Sequence, residues 1–229
     1  MTKAFHQYNN PALAADLVIF GYHQNSLSVL LLNRKEAPFE NTWTLPGAFL
    51  QLEESFREVC VRILHTKLGF GDVFLEQLYS FDDVNRDPRG RVVSVAYYAL
   101  VNPQKFAVVA GSMANDVKWF PVNEVPDLGF DHAVIFEAAL QRLKSKILYY
   151  PVGFQLLDEV FTMTELHELY ECILGIGIDR RNFRRKILES GYVIATGQKR
   201  AGLKNRHPDL YKFNQQLQPN NFQLNIHTS

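Results

Sequence analysis

Residues 45–69 read LPGAFLQLEESFREVCVRILHTKLG, a turn followed by a helix. Leu45, Pro46 and Gly47 make the turn. Glu54 and Ser55 open the helix and Gly69 closes it, glycine being favoured where a helix ends in a left-handed residue. Phe56, Val59, Cys60, Ile63 and Leu64 recur at helical spacing, so one stripe should pack on a sheet and the other face stays free for chemistry. The flanking chain supplies that sheet. Residues 14–22 and 27–33 are β-rich runs around a His-Gln-Asn-Ser turn, the pattern of a hairpin. Residues 73–81, 92–101 and 116–122 read as further strands, and a turn over 123–127 leads into an amphipathic helix over about 131–147. Strands, helix, strands and helix in that order suit an α+β sandwich.

The 45–69 segment resembles the Nudix box, whose pattern falls here on Ala48, Glu54, Arg62, Ile63, Leu64, Thr66, Lys67, Gly69 and Phe70. Glu54, Arg62, Leu64 and Gly69 match it. The resemblance implies a Nudix fold over roughly residues 11–148. In that family three glutamates at the positions of Ile63, Thr66 and Lys67 gather divalent cations from one helix face. None of the three is a carboxylate here, and Lys67 places a positive charge where the ion would sit. Metal-assisted hydrolysis of a nucleoside diphosphate derivative is therefore the lesser reading, and neither a metal nor a cofactor is expected. Glu54 and Arg62 are expected to hold loop to helix.

Lysine plus arginine total 24 against 24 aspartate plus glutamate, so whole-chain charge names no partner. The length allows one large domain or two modest ones. Two cysteines, Cys60 and Cys172, lie on apolar helix faces far apart in sequence and read as reduced, packed thiols, consistent with a cytoplasmic protein. No apolar run approaches the roughly 18 residues that span a bilayer, and MTKAFHQYNN has no signal-peptide pattern. His23, His65, His132 and His167 share no metal-ligand spacing and read as surface or helix-face residues.

The balance of charge hides an asymmetry. Between Arg180 and Lys212 stand ten basic residues against Glu189 and Asp209 alone, which is where a nucleic acid would bind. Tyr149, Tyr150, Pro151 and Gly153 break the preceding helix and mark a boundary between residues 1–150 and 151–229. A short helix is expected to about Val160, then a second capped by Thr164 and ended by Gly175 and Gly177. A third, RRNFRRKILES, is capped by Asp179 and stopped by Gly191. Two helices around a short glycine-bearing turn, the second basic at its start, are laid out as a helix-turn-helix with its recognition helix. Residues 192–195, the basic loop 196–207 and residues 210–213 fit a wing. Arg180, Arg181, Asn182, Arg184, Arg185 and Lys186 are candidate DNA contacts on the helix; Lys199, Arg200, Lys204 and Arg206 are candidate phosphate contacts on the wing.

A degenerate Nudix box followed by FTMTELHELYECILGIGIDRRNFRRKILESGYV resembles the Nudix-related transcriptional regulators over nearly the whole chain. The resemblance implies a Nudix-type α/β/α sandwich followed by a C-terminal winged helix-turn-helix. It also implies an effector-sensing first domain, double-stranded operator DNA as partner, a homodimer and no membrane. The expected function is a repressor of sugar use in the arabinose-utilisation branch with L-arabinose as effector, because a neutral pentose needs no metal. The alternative is an ADP-ribose-responsive regulator of NAD metabolism. A residual hydrolase and an adaptor for RNA or protein are the rival classes. The Nudix layout nominates Arg34, Trp43, Phe49, Asp82, Asp83, Arg91 and Tyr97 as ligand contacts.

Overall fold

A computed structural model of the chain describes residues 10–69, 73–105, 114–201, 207–217 and 224. Strands β1 (Ala12–His23) and β2 (Ser26–Arg34) form the expected hairpin. Gln24 and Asn25 turn it at φ 48° and 59°, the left-handed pair that a tight primed turn demands and that asparagine tolerates. Every residue of β1 from Ala14 to Tyr22 is buried, so its apolar run is continuous rather than alternating, as in a strand covered on both faces. Asp16 is the one charge within that run.

β1 lies at the heart of a seven-stranded sheet whose main path is β3 (Trp43–Thr44), β2, β1, β6 (Val92–Val101), β5 (Phe74–Phe81). Strand β4 (Gly47–Phe49) pairs with β1 and strand β7 (Ala114–Pro121) with β2. The antiparallel β1–β4 register sets Asp16 opposite Gly47. A Cβ on Gly47 would stand 2.4 Å from the Asp16 carboxylate, so the box turn needs its glycine for close approach.

Helix α1 (Phe56–Arg62) starts at Ser55, whose hydroxyl takes the Glu58 amide while the Glu58 carboxylate takes the Ser55 amide. Such a capping box stabilises a helix start by about 1 kcal/mol. The α-helix stops at Arg62, short of Gly69, and residues Ile63–Lys67 form a π-helical turn. Thr66 Oγ1 donates to the Arg62 carbonyl at 2.6 Å, competing for the acceptor an α-helical amide would use. Helix α2 (His132–Lys146) follows β7.

Strand β8 (Val160–Thr162) leads into α3 (Met163–Leu174); α4 (Arg180–Glu189), β9 (Val193–Lys199) and β10 (Asp209–Phe213) complete a helix-turn-helix with a three-stranded sheet ordered β8-β10-β9. Two local expectations are corrected. The helix foreseen before Val160 is only a 3₁₀ turn over Val152–Gln155. The cap of α3 is Thr162, not Thr164, because Thr162 and Glu165 exchange the two hydrogen bonds of a capping box, whereas the residue three beyond Thr164 is His167, which cannot return the bond. Asp179 caps α4 through the Asn182 amide, and Gly175 (φ 69°) and Gly191 (φ 73°) close α3 and α4.

Packing divides the chain into two compact units. One ends at Ile19, resumes over Val29–Ala99 and extends to Ala139; the other takes in Phe20–Ser28, the segment from Leu100 and the chain from Leu140 onward. Phe20, Leu27, Phe161, Tyr170 and Phe183 are fully buried in the second, Leu17, Leu30, Cys60 and Tyr98 in the first. Cys60 and Cys172 are free thiols; burial pushes Cys60 up to about 12, as a packed thiol requires. No helix among the described residues is long and apolar enough to cross a membrane.

Candidate effector pocket and nucleic-acid interface

The first unit holds a cavity of about 320 Å³, of the size that small ligands occupy. Its floor is a buried ionic cluster. Arg86 Nη2 lies 2.9 Å from Asp16 Oδ2 and 2.7 Å from Asp131 Oδ1, and Arg86 Nε donates to Asp131 Oδ2 at 2.9 Å. One guanidinium thereby ties β1 and the segment entering α2 to the loop between β5 and β6. His132 accepts the Leu45 amide on Nδ1 at 2.9 Å, which leaves its ring proton on Nε2, 3.5 Å from Asp16 Oδ1. Burial would raise the Asp16 carboxyl, but the facing His132 and Arg86 outweigh it and hold the group well below the usual carboxylate range.

The wall is cationic and aromatic. Arg89 grips Asp87 with Nε and Nη2 at 2.9 and 2.7 Å, a bidentate pair that holds the buried Asp87 carboxyl ionised. The Arg89 guanidinium stands 5.2 Å from the Phe49 ring centre and 5.6 Å from that of Phe130. Arg34 donates Nε to the Pro38 carbonyl at 2.9 Å and lies 5.1 Å from the same Phe130 ring. Phe39 packs on Phe130 at 4.6 Å. Phe39 and Phe130 have φ of 63° and 58°, a backbone cost of order 1–3 kcal/mol for a bulky residue, and such outliers cluster at binding sites.

What survives of the Nudix box supports this wall. Arg62 pairs with Glu54 and sends Nη2 to the Phe49 carbonyl at 3.1 Å, so the two matched residues hold the loop that carries Phe49. At the family's metal positions Ile63 is fully buried and Thr66 is bonded to the helix backbone. That donor set does not fit a divalent cation. Among the described residues no group of three His, Cys, Asp or Glu is placed to hold a metal.

Of the seven residues nominated for the ligand, the cavity brings together Arg34 and Phe49. Trp43 packs edge-on against Phe120 at 4.8 Å, and buried Tyr97 directs its hydroxyl to Gln77. Arg91 binds the carbonyls of exposed Asp82 and Asp83, closing the loop base. The spacing missed Asp16, Arg86, Asp87, Arg89, Phe130 and His132. A carboxylate inside the apolar ALAADLVIF and the RDPRGR run were the available signals. Of the surface and helix-face alternatives, His132 and His167 take the second, on α2 and α3 and buried; His167 shares its Nε2 with the Ile178 carbonyl at 2.8 Å and so braces the α3–α4 turn.

On α4, Arg180, Arg181, Arg184 and Arg185 are exposed and Asn182 and Lys186 half-buried. Phe183 and Ile187 bury the opposite stripe. Arg184 Nη2 donates to the Tyr211 hydroxyl at 2.9 Å, and Arg185 to Asn182 Oδ1 at 2.9 Å. Among the described residues, Arg180 and Arg181 have no side-chain partner. In the wing, Arg200 pairs with Glu165 of α3, and Lys199 lies 4.0 Å from Asp209. Lys204 and Arg206 lie outside the described residues.

Residues 10–139 match the NUDIX domain and residues 153–213 match the NrtR DNA-binding winged helix domain. The ADPR responsive transcriptional repressor NtrR of Acinetobacter baylyi is 35% identical over 210 residues, covering 90% of this chain and 83% of that protein. The chain belongs to the NrtR family of Nudix-related transcriptional regulators. The crystal structure of Shewanella oneidensis NrtR complexed with a 27mer DNA superposes with TM-score 0.78 at 36% identity, over 88% of this chain and 93% of that one. The NUDIX domain of Shewanella oneidensis NrtR, crystallised with ADP ribose, aligns with TM-score 0.57 at 34% identity, over 62% of this chain and 94% of that domain. The fold of this NrtR-family chain is accordingly a Nudix fold followed by a winged helix. The arabinose-utilisation branch finds no support among these relatives, which speak of ADP-ribose instead.

Proposed function

We propose that this chain is an ADP-ribose-responsive transcriptional repressor, a cytoplasmic homodimer whose winged helices hold operator DNA until ADP-ribose enters the Nudix cavity. Residues 1–150 serve as the effector domain and 151–229 as the DNA-binding domain. The observation that carries this reading is the cavity's wall, where Arg34 and Arg89 stand with Phe49 and Phe130, in a chain 35% identical to a repressor described as ADPR responsive. The missing metal ligands taken alone favour a pentose. A neutral sugar would leave the guanidinium of Arg34, whose partner is the neutral Pro38 carbonyl, without a counter-charge, whereas ADP-ribose offers both anion and aromatic base. The protein reads its ligand without hydrolysing it, because Ile63, Thr66 and Lys67 stand where the family's hydrolases carry metal-binding glutamates.

On the DNA side, Arg180, Arg181, Asn182, Arg184, Arg185 and Lys186 face the major groove, and Lys199, Arg200, Lys204 and Arg206 belong to the phosphate-facing wing. Paired recognition helices fit successive grooves about 34 Å apart. ADP-ribose acts by favouring a dimer in which that spacing is lost, and it shifts the equilibrium only by its differential affinity for the two states. Gel-shift titration of duplex DNA upstream of the chain's own gene tests this reading. Sequence-specific binding released by ADP-ribose and untouched by L-arabinose is the expected result. Release by L-arabinose, or none by ADP-ribose, would overturn it.

A further inference from the structure

We infer that Arg200 is a positioning residue for DNA binding: held by the Glu165 carboxylate, it fixes the base of the wing to the first turn of α3 instead of touching a phosphate. This inference rests on the DNA-binding reading above, which it deepens by separating the wing's anchor from its phosphate contacts.

The two oxygens of Glu165 have different tasks. Oε2 accepts from the Thr162 amide at 2.7 Å and from the Thr162 hydroxyl at 3.0 Å, closing the capping box that starts α3. Oε1 accepts from Arg200 Nη1. One carboxylate therefore joins the end of β8, the first turn of α3 and the residue that follows β9. Residue 200 is where the wing leaves its sheet, since β9 ends at Lys199 and β10 begins opposite it at Asp209. The Arg200 amide donates to the Pro208 carbonyl at 3.0 Å, and the His207 ring reaches the Arg200 carbonyl with Nδ1 at 3.3 Å. Lys204 and Arg206 lie between these two ends in sequence. Thr162 in turn pairs with Leu210 of β10, so the contacts close a circuit through Glu165, Thr162, β10, β9 and Arg200.

The neighbouring cation makes the contrast. Lys199 stands 4.0 Å from Asp209 with 66% of its side chain exposed, whereas Arg200 is 36% exposed against Glu165. An exposed pair at that distance holds weakly, so Lys199 can turn to a phosphate at little loss. Arg200 could do so only by leaving the Glu165 carboxylate unpaired beside a polyanion, which repels it. A half-exposed ion pair adds little to stability; what this one sets is where the wing stands when DNA arrives.

Operator titrations of the full-length protein test the anchor, using duplex DNA upstream of the chain's own gene and the variants E165Q, R200Q, R200K and their combinations. Amide hydrogen exchange of the DNA-free protein supplies a second readout. E165Q isolates the anchor, because glutamine still closes a capping box and its lost negative charge would by itself favour DNA. E165Q and R200Q should each weaken operator binding by roughly three- to thirtyfold, and the double variant by no more than either alone. R200K should recover part of the loss with Glu165 present and none of it in E165Q. The Arg200 amide should exchange faster in E165Q and R200Q with no DNA present, while the melting temperature of E165Q stays near wild type. Unchanged or tighter operator binding in E165Q, with R200Q weakened and its salt slope reduced by about one phosphate, would make Arg200 a phosphate contact and overturn the anchor. Additive losses in the double variant would overturn it too. If R200Q does not fold, E165Q decides alone. A wild-type protein that binds no operator would instead sink the DNA-binding reading, and exchange at the Arg200 amide would still decide the anchor.

Discussion

Asp16 illustrates how much rests on single side chains. Its folded carboxyl titrates below the ordinary range, so the ionised form is the one the fold stabilises. That contribution is fully present above the unfolded value of about 3.9 and drains away as pH falls below it towards the lower folded value. D16N should lower the melting temperature at pH 7 and flatten the acid limb of the stability curve between about pH 4 and pH 2. A D16N curve parallel to wild type would show that Asp16 is not the group responsible. Gly47 faces the same carboxylate, and G47A should be destabilised by about 1–3 kcal/mol in a chemical denaturation, since its methyl would meet Asp16 and the Ala15 carbonyl at 2.4 and 3.2 Å. None of this was legible locally. Asp16 and Arg86 are 70 residues apart and Arg86 and Asp131 are 45 apart, so their pairing is a product of sheet topology. In sequence, RDPRGR reads as one solvated loop, and loop position alone favours Asp82, Asp83 and its terminal Arg91 over Arg86, Asp87 and Arg89.

Elements fared better because their signals are local. Hairpin, box loop, α2 and the helix-turn-helix stand within a few residues of where periodicity, glycine stops and capping residues place them. The exceptions have local causes too. Thr66 bonds backward to the Arg62 carbonyl where the box helix passes into a π turn, and the α3 start belongs to the threonine whose partner three residues on is a glutamate. T162A should cost about 1 kcal/mol of stability, and T164A should stay within about 0.5 kcal/mol of wild type; the reverse order in thermal melts would refute the cap assignment. On α4, Arg181 and Arg184 look alike in sequence, yet Arg184 is held by Tyr211 and Arg181 is free among the described residues. R181A should weaken operator binding by about 1–3 kcal/mol and relax sequence preference if it reads a base. A loss that is uniform across sequences, with a shallower salt slope, would mark a phosphate contact instead.

At the scale of the whole molecule, the order of folds was legible because each has its own local pattern, while the effector was not. Overall charge is zero, and the charges that line the cavity are sorted only by folding: Arg86 pairs with Asp16 and Asp131, Arg89 with Asp87, and Arg34 donates to the Pro38 carbonyl. A repressor released by its ligand must obey reciprocal linkage. If ADP-ribose lowers operator affinity by some factor, operator DNA must lower ADP-ribose affinity by the same factor, commonly about 5- to 150-fold for allosteric proteins. Titrating ADP-ribose into the protein alone and into the protein saturated with operator measures that factor directly, and the gel-shift series measures it from the other side. Agreement of the two factors is the expected outcome, and it should persist in R181A, whose DNA affinity falls without altering the pocket. Equal ADP-ribose affinity with and without operator would mean that the ligand and the DNA are not coupled through this chain, however tightly each one binds.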